Sequence, residues 1–283
     1  MVTRPAVLRL LILLVSILAA VLIVRLTGVA ELAFYHPDRS NYPVPEGGRD
    51  VWIQAGPDRR LHGLFLRASD AAPGERRPVI VHSHGNAGDI GSHLDFSSFL
   101  TESGCHVLLF DYRSYGQSDA AEGSLRRGML LEDTLAVVDY AAKRPDVVPE
   151  RIGLYGVSLG GSFALAAAAE RPEVRSVATV SAFSSWQRVA NDHVPVLGWL
   201  LMPSGVDGVD AAARLGGRPY LIVHGMADEI VPVAHAGRLA AAAGGADAAT
   251  VMLVPGGDHN GITQSQPKVR EALVSFFRRT LRE

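Results

Sequence analysis

Cysteine is the scarcest chemistry in this sequence: Cys105 stands alone among 283 residues. No internal disulfide can form, and the apolar run "CHVLLF" reads as the setting of a buried structural thiol. CxxC pairs and HExxH are missing, so no metal site announces itself. A charge bias is missing too: 27 basic against 29 acidic residues leave a net charge of -2. That balance excludes a strong polyanion-binding field, and no nucleic-acid partner is expected. No internal repeat or low-complexity block is visible.

Long apolar runs are confined to one place. "RPAVLRLLILLVSILAAVLIVR" carries Arg4 and Arg9, an apolar stretch from Leu10 to Val24 free of charge and polar only at Ser16, and a closing Arg25. With Ala6 to Leu8 included it approaches the roughly 20 residues that span a bilayer. A cleaved signal peptide is the rival reading, but its only cleavage candidate is Gly28-Val29-Ala30. Residues 1–25 are therefore expected to be a single-pass anchor. Residues 26–49, rich in proline, glycine and charge, read as a linker. The short basic amino terminus is easily retained while a long domain is exported, so the catalytic domain is expected on the outer face of the membrane, the periplasm in a bacterium.

From residue 50 to 283 short apolar runs alternate with helical ones. "DVWIQ", "LHGLFLR", "PVIVHSHG", "CHVLLFDY", "RIGLYG", "VRSVATVS", "PYLIVHG" and "TVMLVPGG" read as strands. "IGSHLDFSSFLTES", "SLRRGMLLEDTLAVVDYAAKR", "GGSFALAAAAE", "VAHAGRLAAAAGG" and "QPKVREALVSFFRRTLR" read as helices. This alternation specifies an α/β layer fold with a mainly parallel central sheet flanked by helices. Ligands in such sheets bind beyond the carboxyl ends of the strands.

Three of those ends carry matched chemistry. Ser158 lies in "GVSLGG", Asp228 in "HGMADEIVP" and His259 in "GGDHNG". A serine hydroxyl attacks a carbonyl well only when a base removes its proton. His259 can be that base, and Asp228 can orient and stabilise the imidazole. Gly156 and Gly160 permit a strained turn around Ser158. The developing oxyanion needs donors: the Leu159 N–H beside the nucleophile, and the Asn86 N–H in the "HGNAG" loop. Glu229 is the adjacent rival to Asp228. His82 and His84 share a strand end but lack a third metal ligand. His84 is expected to order the oxyanion loop, and His224 to be structural. Tyr112, Arg113 and Tyr115 in "DYRSYG" are expected to form a packed, hydrogen-bonded loop.

"HSHGNAGDIG", "DYRSYGQSD", "GVSLGG", "HGMADEIVP" and "GGDHNG", in this order, resemble the blocks of the α/β-hydrolase superfamily. The resemblance runs from about residue 34 to the carboxyl terminus. It points to a membrane-tethered subgroup that includes lysophospholipases, monoacylglycerol lipases and protein depalmitoylases. It implies Ser158 as nucleophile, His259 as base, Asp228 as acid, and Asn86 with Leu159 as oxyanion donors. Two positions depart from the pattern: Asp89, where asparagine is frequent, and Asp258, where glycine is more usual. A cap is implied at about residues 182–214, where Trp186, Trp199 and Met202 are candidate substrate contacts; its apolar "VPVLGWLLMP" is read either as lining an acyl pocket or touching the bilayer, or as ordinary packing onto the sheet. The expected activity is hydrolysis of carboxylic esters or thioesters, from a small-molecule or lipid substrate, with no cofactor. A non-catalytic binding module and a cofactor-free perhydrolase are the alternatives.

Overall fold

The computed structural model describes residues 4–40, 42–45, 47–245 and 248–282. It opens with α1 (Arg4–Thr27), apolar between Arg9 and Arg25 except for Ser16, with no buried residue. Its 24 residues reach about 36 Å at 1.5 Å each, longer than the roughly 30 Å hydrocarbon core of a bilayer. By length and composition α1 is a candidate membrane span.

Among the described residues ten strands follow. β1 (His36–Pro37) and β5 (Ala87–Gly88) form a separate parallel pair. The others are β2 (Gly48–Gly56), β3 (Arg59–Leu66), β4 (Arg77–Ser83), β6 (His106–Phe110), β7 (Val147–Val157), β8 (Val174–Val180), β9 (Tyr220–Gly225) and β10 (Ala249–Val254). They make one sheet in the order β10-β9-β8-β7-β4-β6-β3-β2. β3 runs antiparallel to both neighbours, and every other pair is parallel. This is the architecture of an α/β-hydrolase.

The helices after α1 are α2 (Arg127–Ala142), α3 (Leu159–Glu170), α4 (Trp186–His193), α5 (Leu197–Leu201), α6 (Gly208–Ala212), α7 (Ala234–Ala242), α8 (Ile262–Ser265) and α9 (Pro267–Phe277). They explain why the central strands are apolar without alternation: both faces of the sheet are covered. Val79 and Val81 pack with Val137 of α2, Leu165 of α3 and Leu239 of α7. Ile80, between them, points to the other face and the cluster of Val269, Leu273 and Phe276 on α9. Pro267 sits at the start of α9, where a missing N–H costs nothing. Cys105 is fully buried, and burial pushes its thiol up to about 11.

Two stretches differ from what their sequence suggests. The helical spacing of "IGSHLDFSSFLTES" yields two 3-10 turns, Leu94–Phe96 and Ser98–Ser103. Hydroxyls compete locally for the backbone: Thr101 Oγ1 donates to Ser98 O at 2.8 Å and Ser103 Oγ to Leu100 O at 2.6 Å. Nor is the 26–49 segment free over its whole length. A 3-10 turn, Val29–Phe34, follows α1, and both Glu31 and Tyr35 are buried. The Glu31 carboxylate accepts from the Arg127 N–H at 2.9 Å and the Tyr35 hydroxyl at 3.1 Å, and lies 3.3 Å from Arg127 Nε. Phe34 sets its ring against Trp186 at 5.2 Å between centroids. Residues 29–38 are a strap laid across the domain.

Candidate active site

At the carboxyl end of β7 the chain turns sharply into α3. Ser158 occupies the corner with φ 53° and ψ −119°, a region costing a side-chain-bearing residue roughly 1–3 kcal/mol. The corner is held on both sides. The Ser158 N–H donates to Val180 O at 2.8 Å, and Ser158 O accepts from the Gly161 N–H at 3.0 Å. Glycine is required at 160, where a Cβ would collide with the carbonyl oxygens of Ser83 and His84.

The loops after β9 and β10 deliver the partners. His259 Nε2 lies 3.0 Å from Ser158 Oγ, and His259 Nδ1 lies 2.8 Å from Asp228 Oδ2. Asp228 Oδ1 accepts from the N–H groups of Ile230 at 3.0 Å and Val231 at 2.8 Å. His224 Nε2, which donates to Val231 O at 2.8 Å, is 3.4 Å from the other carboxylate oxygen. Burial alone would push the Asp228 carboxyl up. Hydrogen bonds from His224, His259 and the Val231 N–H outweigh it and hold the group well below the usual carboxylate range. An ionised Asp228 fixes the proton of His259 on Nδ1, leaving the Nε2 lone pair for the serine hydroxyl. Glu229 is exposed and turned to solvent. Asp258 accepts from the Gly261 N–H at 2.6 Å.

The same three residue types meet a second time without the same capacity. Ser184 Oγ is 2.7 Å from His235 Nδ1, and His235 Nε2 is 2.8 Å from Asp192 Oδ2. Ser184 and His235 are fully buried, and the Ser184 N–H also donates to Nδ1 at 2.9 Å. This set braces α4 against α7 and touches no substrate space.

Asn86 and Leu159 flank Ser158 at the floor of a cavity of about 600 Å³. Among the described residues neither N–H donates to a protein acceptor. The loop carrying Asn86 is fastened from behind: its carbonyl accepts from the His36 N–H at 2.9 Å and the Tyr115 hydroxyl at 2.8 Å. Asp89 adds a clamp, accepting from the Ser40 hydroxyl at 2.7 Å and the Ser92 N–H at 2.9 Å. The buried His84 ring packs between Tyr112 and Tyr115 at 4.5 and 5.1 Å, and its Nδ1–H donates to Gly85 O at 2.8 Å. Burial, reinforced by nearby His93, holds His82 and His84 well below the ordinary histidine range. Among the described residues no cluster is disposed to hold a metal ion. Arg113 is tied to Asp133 by its backbone N–H at 2.9 Å and by Nη2 at 2.6 Å, fixing the "DYRSYG" loop.

One wall of the cavity is the strap, through Ala30, Ala33 and Phe34; the other is the cap, through Leu197, Leu201 and Met202. Among the described residues no aspartate, glutamate, lysine or arginine lines it. A second cavity, of about 650 Å³, lies beside Arg49 and Arg67 and is lined by none of Ser158, Asp228, His259, Asn86 or Leu159. Of the three candidate substrate contacts, Met202 lines the first cavity and the two tryptophans do not. Trp186 is fully buried, donates from Nε1 to Val206 O at 3.0 Å and carries the Arg127 guanidinium on its face at 4.4 Å. Its indole needs both a large apolar site and an acceptor, and the packing beneath the cap supplies them. Trp199 is half-exposed outside the cavity, with Arg188 over its ring at 5.3 Å. The strap wall and the Tyr115 fastening carry no mark in the sequence.

The model of the prolyl oligopeptidase family of peptidases matches residues 97–283. The uncharacterized protein YfhR of Salmonella typhi is 33% identical over 267 residues, covering 89% of each chain. The same-named protein of Escherichia coli K12 is 33% identical over 254 residues, covering 88% of this chain and 87% of that one. Among solved structures, an esterase of Pyrococcus furiosus superposes with a TM-score of 0.71 at 18% identity, over 87% of this chain and 97% of that chain. A puromycin-hydrolyzing peptidase of Mycobacterium tuberculosis gives 0.68 at 24% identity, over 83% and 39%. With two thirds of its length matched by the family model, the chain belongs to the prolyl oligopeptidase family and carries the α/β-hydrolase fold.

Proposed function

We propose that this chain is a membrane-tethered serine hydrolase that cleaves carboxylic esters or thioesters bearing an apolar acyl group. Ser158 Oγ attacks the acyl carbonyl while His259 Nε2 takes its proton. The oxyanion forms between the N–H groups of Leu159 and Asn86. Collapse expels the alcohol or thiol, which receives the proton from His259, and water then releases the acid by the same steps. The observation that carries this reading is the 3.0 Å hydrogen bond between His259 and Ser158 at the floor of an apolar cavity. Family membership also favours amide hydrolysis. A cavity lined by no carboxylate, lysine or arginine among the described residues offers no ion pair to a peptide's terminus or charged side chain, and favours an acyl chain. Lysophospholipids, monoacylglycerols and acylated proteins are the substrate classes this suits.

A fluorophosphonate probe on the full-length protein is the direct test. Peptide mass spectrometry is expected to find the adduct on Ser158 and none in the Ser158→Ala variant. An unlabelled protein, or an adduct on Ser184, would remove the assignment.

The catalytic domain is proposed to lie on the outer face of the membrane, because Arg4 and Arg9 precede the apolar run and a long domain follows it. Reporter fusions after Glu283 read this out. Active alkaline phosphatase with a dark cytoplasm-dependent fluorophore is expected, and the opposite pair places the domain inside.

A further inference from the structure

The cap and the strap present an apolar surface that the protein itself leaves uncovered. Leu26 at the end of α1 and Val29 and Leu32 beyond it are exposed, and Val196, Trp199 and Leu200 stand out from the cap. Val196 is the most telling: it is 73% exposed and held at φ 68°. A β-branched residue at positive φ is strained, so the chain bears a cost here to present an apolar side chain to the outside.

The geometry fixes where this surface lies. Arg25, in the last turn of α1, donates from Nη1 to the carbonyl oxygens of Trp199 at 3.3 Å and Leu200 at 3.2 Å. α5 therefore sits at the level where the candidate span ends. Trp199, with Arg25 bonded to its carbonyl oxygen and Arg188 over its ring, has the composition of a headgroup-level anchor: an amphipathic ring beside two cations. The cavity wall is made of the same two segments, Ala30, Ala33 and Phe34 from the strap and Leu197 and Leu201 from α5.

We propose that α5 and the strap dock on the bilayer interface, and that the acyl chain enters the cavity from the lipid through the seam between them. The occupant of this surface is the lipid, because the apolar rim is continuous with the helix that would cross it. Entry of an acyl chain rests on the ester reading above; docking does not.

Fluorescence separates the two. Full-length protein is reconstituted in phosphatidylcholine vesicles brominated at a shallow acyl position, against unbrominated vesicles. Bromine is expected to quench part of the tryptophan emission, and the Trp199→Phe variant is expected to lose that quenchable part. Equal quenching of the two proteins, or none, overturns docking, as does a dimer that buries Trp199 away from lipid. The kinetic arm uses V196D/L200D, whose positions do not line the cavity. Hydrolysis of a long-chain ester carried in the bilayer is expected to fall at least about tenfold once two apolar side chains no longer enter the lipid, while a soluble short-chain ester is cleaved at the wild-type rate. Equal rates on the bilayer ester overturn entry from the lipid. If neither ester is hydrolysed by the wild-type protein, the ester reading fails and the quenching still decides docking.

Discussion

Ser158→Ala and His259→Ala are each expected to lower turnover of an activated ester by roughly 10⁵- to 10⁶-fold, and the double variant to lose little more. The hydroxyl and the imidazole act in one step, so removing the second group takes away nothing that the first removal has left. Asp228→Asn is expected to cost about 10⁴-fold, since an amide cannot hold the imidazole in the tautomer that leaves Nε2 free. Glu229→Gln, at an exposed side chain, leaves the rate near wild type. Single-turnover kinetics on the four variants and the double check this. Losses at 158 and 259 that multiply would mean two independent functions, and a heavier loss at 229 than at 228 would move the acid to Glu229.

The second large effect comes from a residue with no side chain. Gly160→Ala is expected to lower turnover by about 100-fold or more and to destabilise the fold by roughly 1–3 kcal/mol. The new methyl would meet the carbonyl oxygens of Ser83 and His84, which belong to strand and loop backbone and cannot yield. α3 must then lift from β4, carrying Ser158 away from His259 and the Leu159 N–H away from Asn86. Gly128→Ala is the control: it lies in α2, where an added Cβ meets nothing within 4 Å. There the change is expected to be neutral or to stabilise by up to about 1 kcal/mol. Urea titrations and kcat for both variants make the comparison. A Gly160→Ala enzyme with wild-type kcat would mean that the corner does not need its close approach.

The difference between these two glycines follows from what a sequence carries. Ser158 and Asp228 were legible because each follows a run of buried strand residues, and an uninterrupted apolar run marks a strand covered on both faces. His259 follows the half-exposed edge strand β10 and was legible from the glycines of its loop and its order after the other two. The structure brings them within hydrogen-bonding distance. The strap was not legible. β1 is two residues long and holds the Asn86 loop through the backbone N–H of His36, a group every residue but proline has. Glu31 is polar, and only its pairing with Arg127, 96 residues away, makes it a buried residue. Trp186 and Trp199 illustrate the same limit inside the cap. Both sit in an apolar stretch without period, and their opposite fates depend on Val206 and Arg127 for one and Arg188 for the other.

The strap also bears on how the amino terminus can be processed. Cleavage after Ala30, the one position resembling a signal-peptidase site, would leave Glu31 as the new first residue. A charged ammonium would then form at a residue only 5% exposed, beside the guanidinium of Arg127 that already neutralises its carboxylate. Two cations around one buried carboxylate leave an uncompensated charge out of water. The same cut would detach Ala30 from the wall of the cavity. The folded domain thus penalises the cut that would release it.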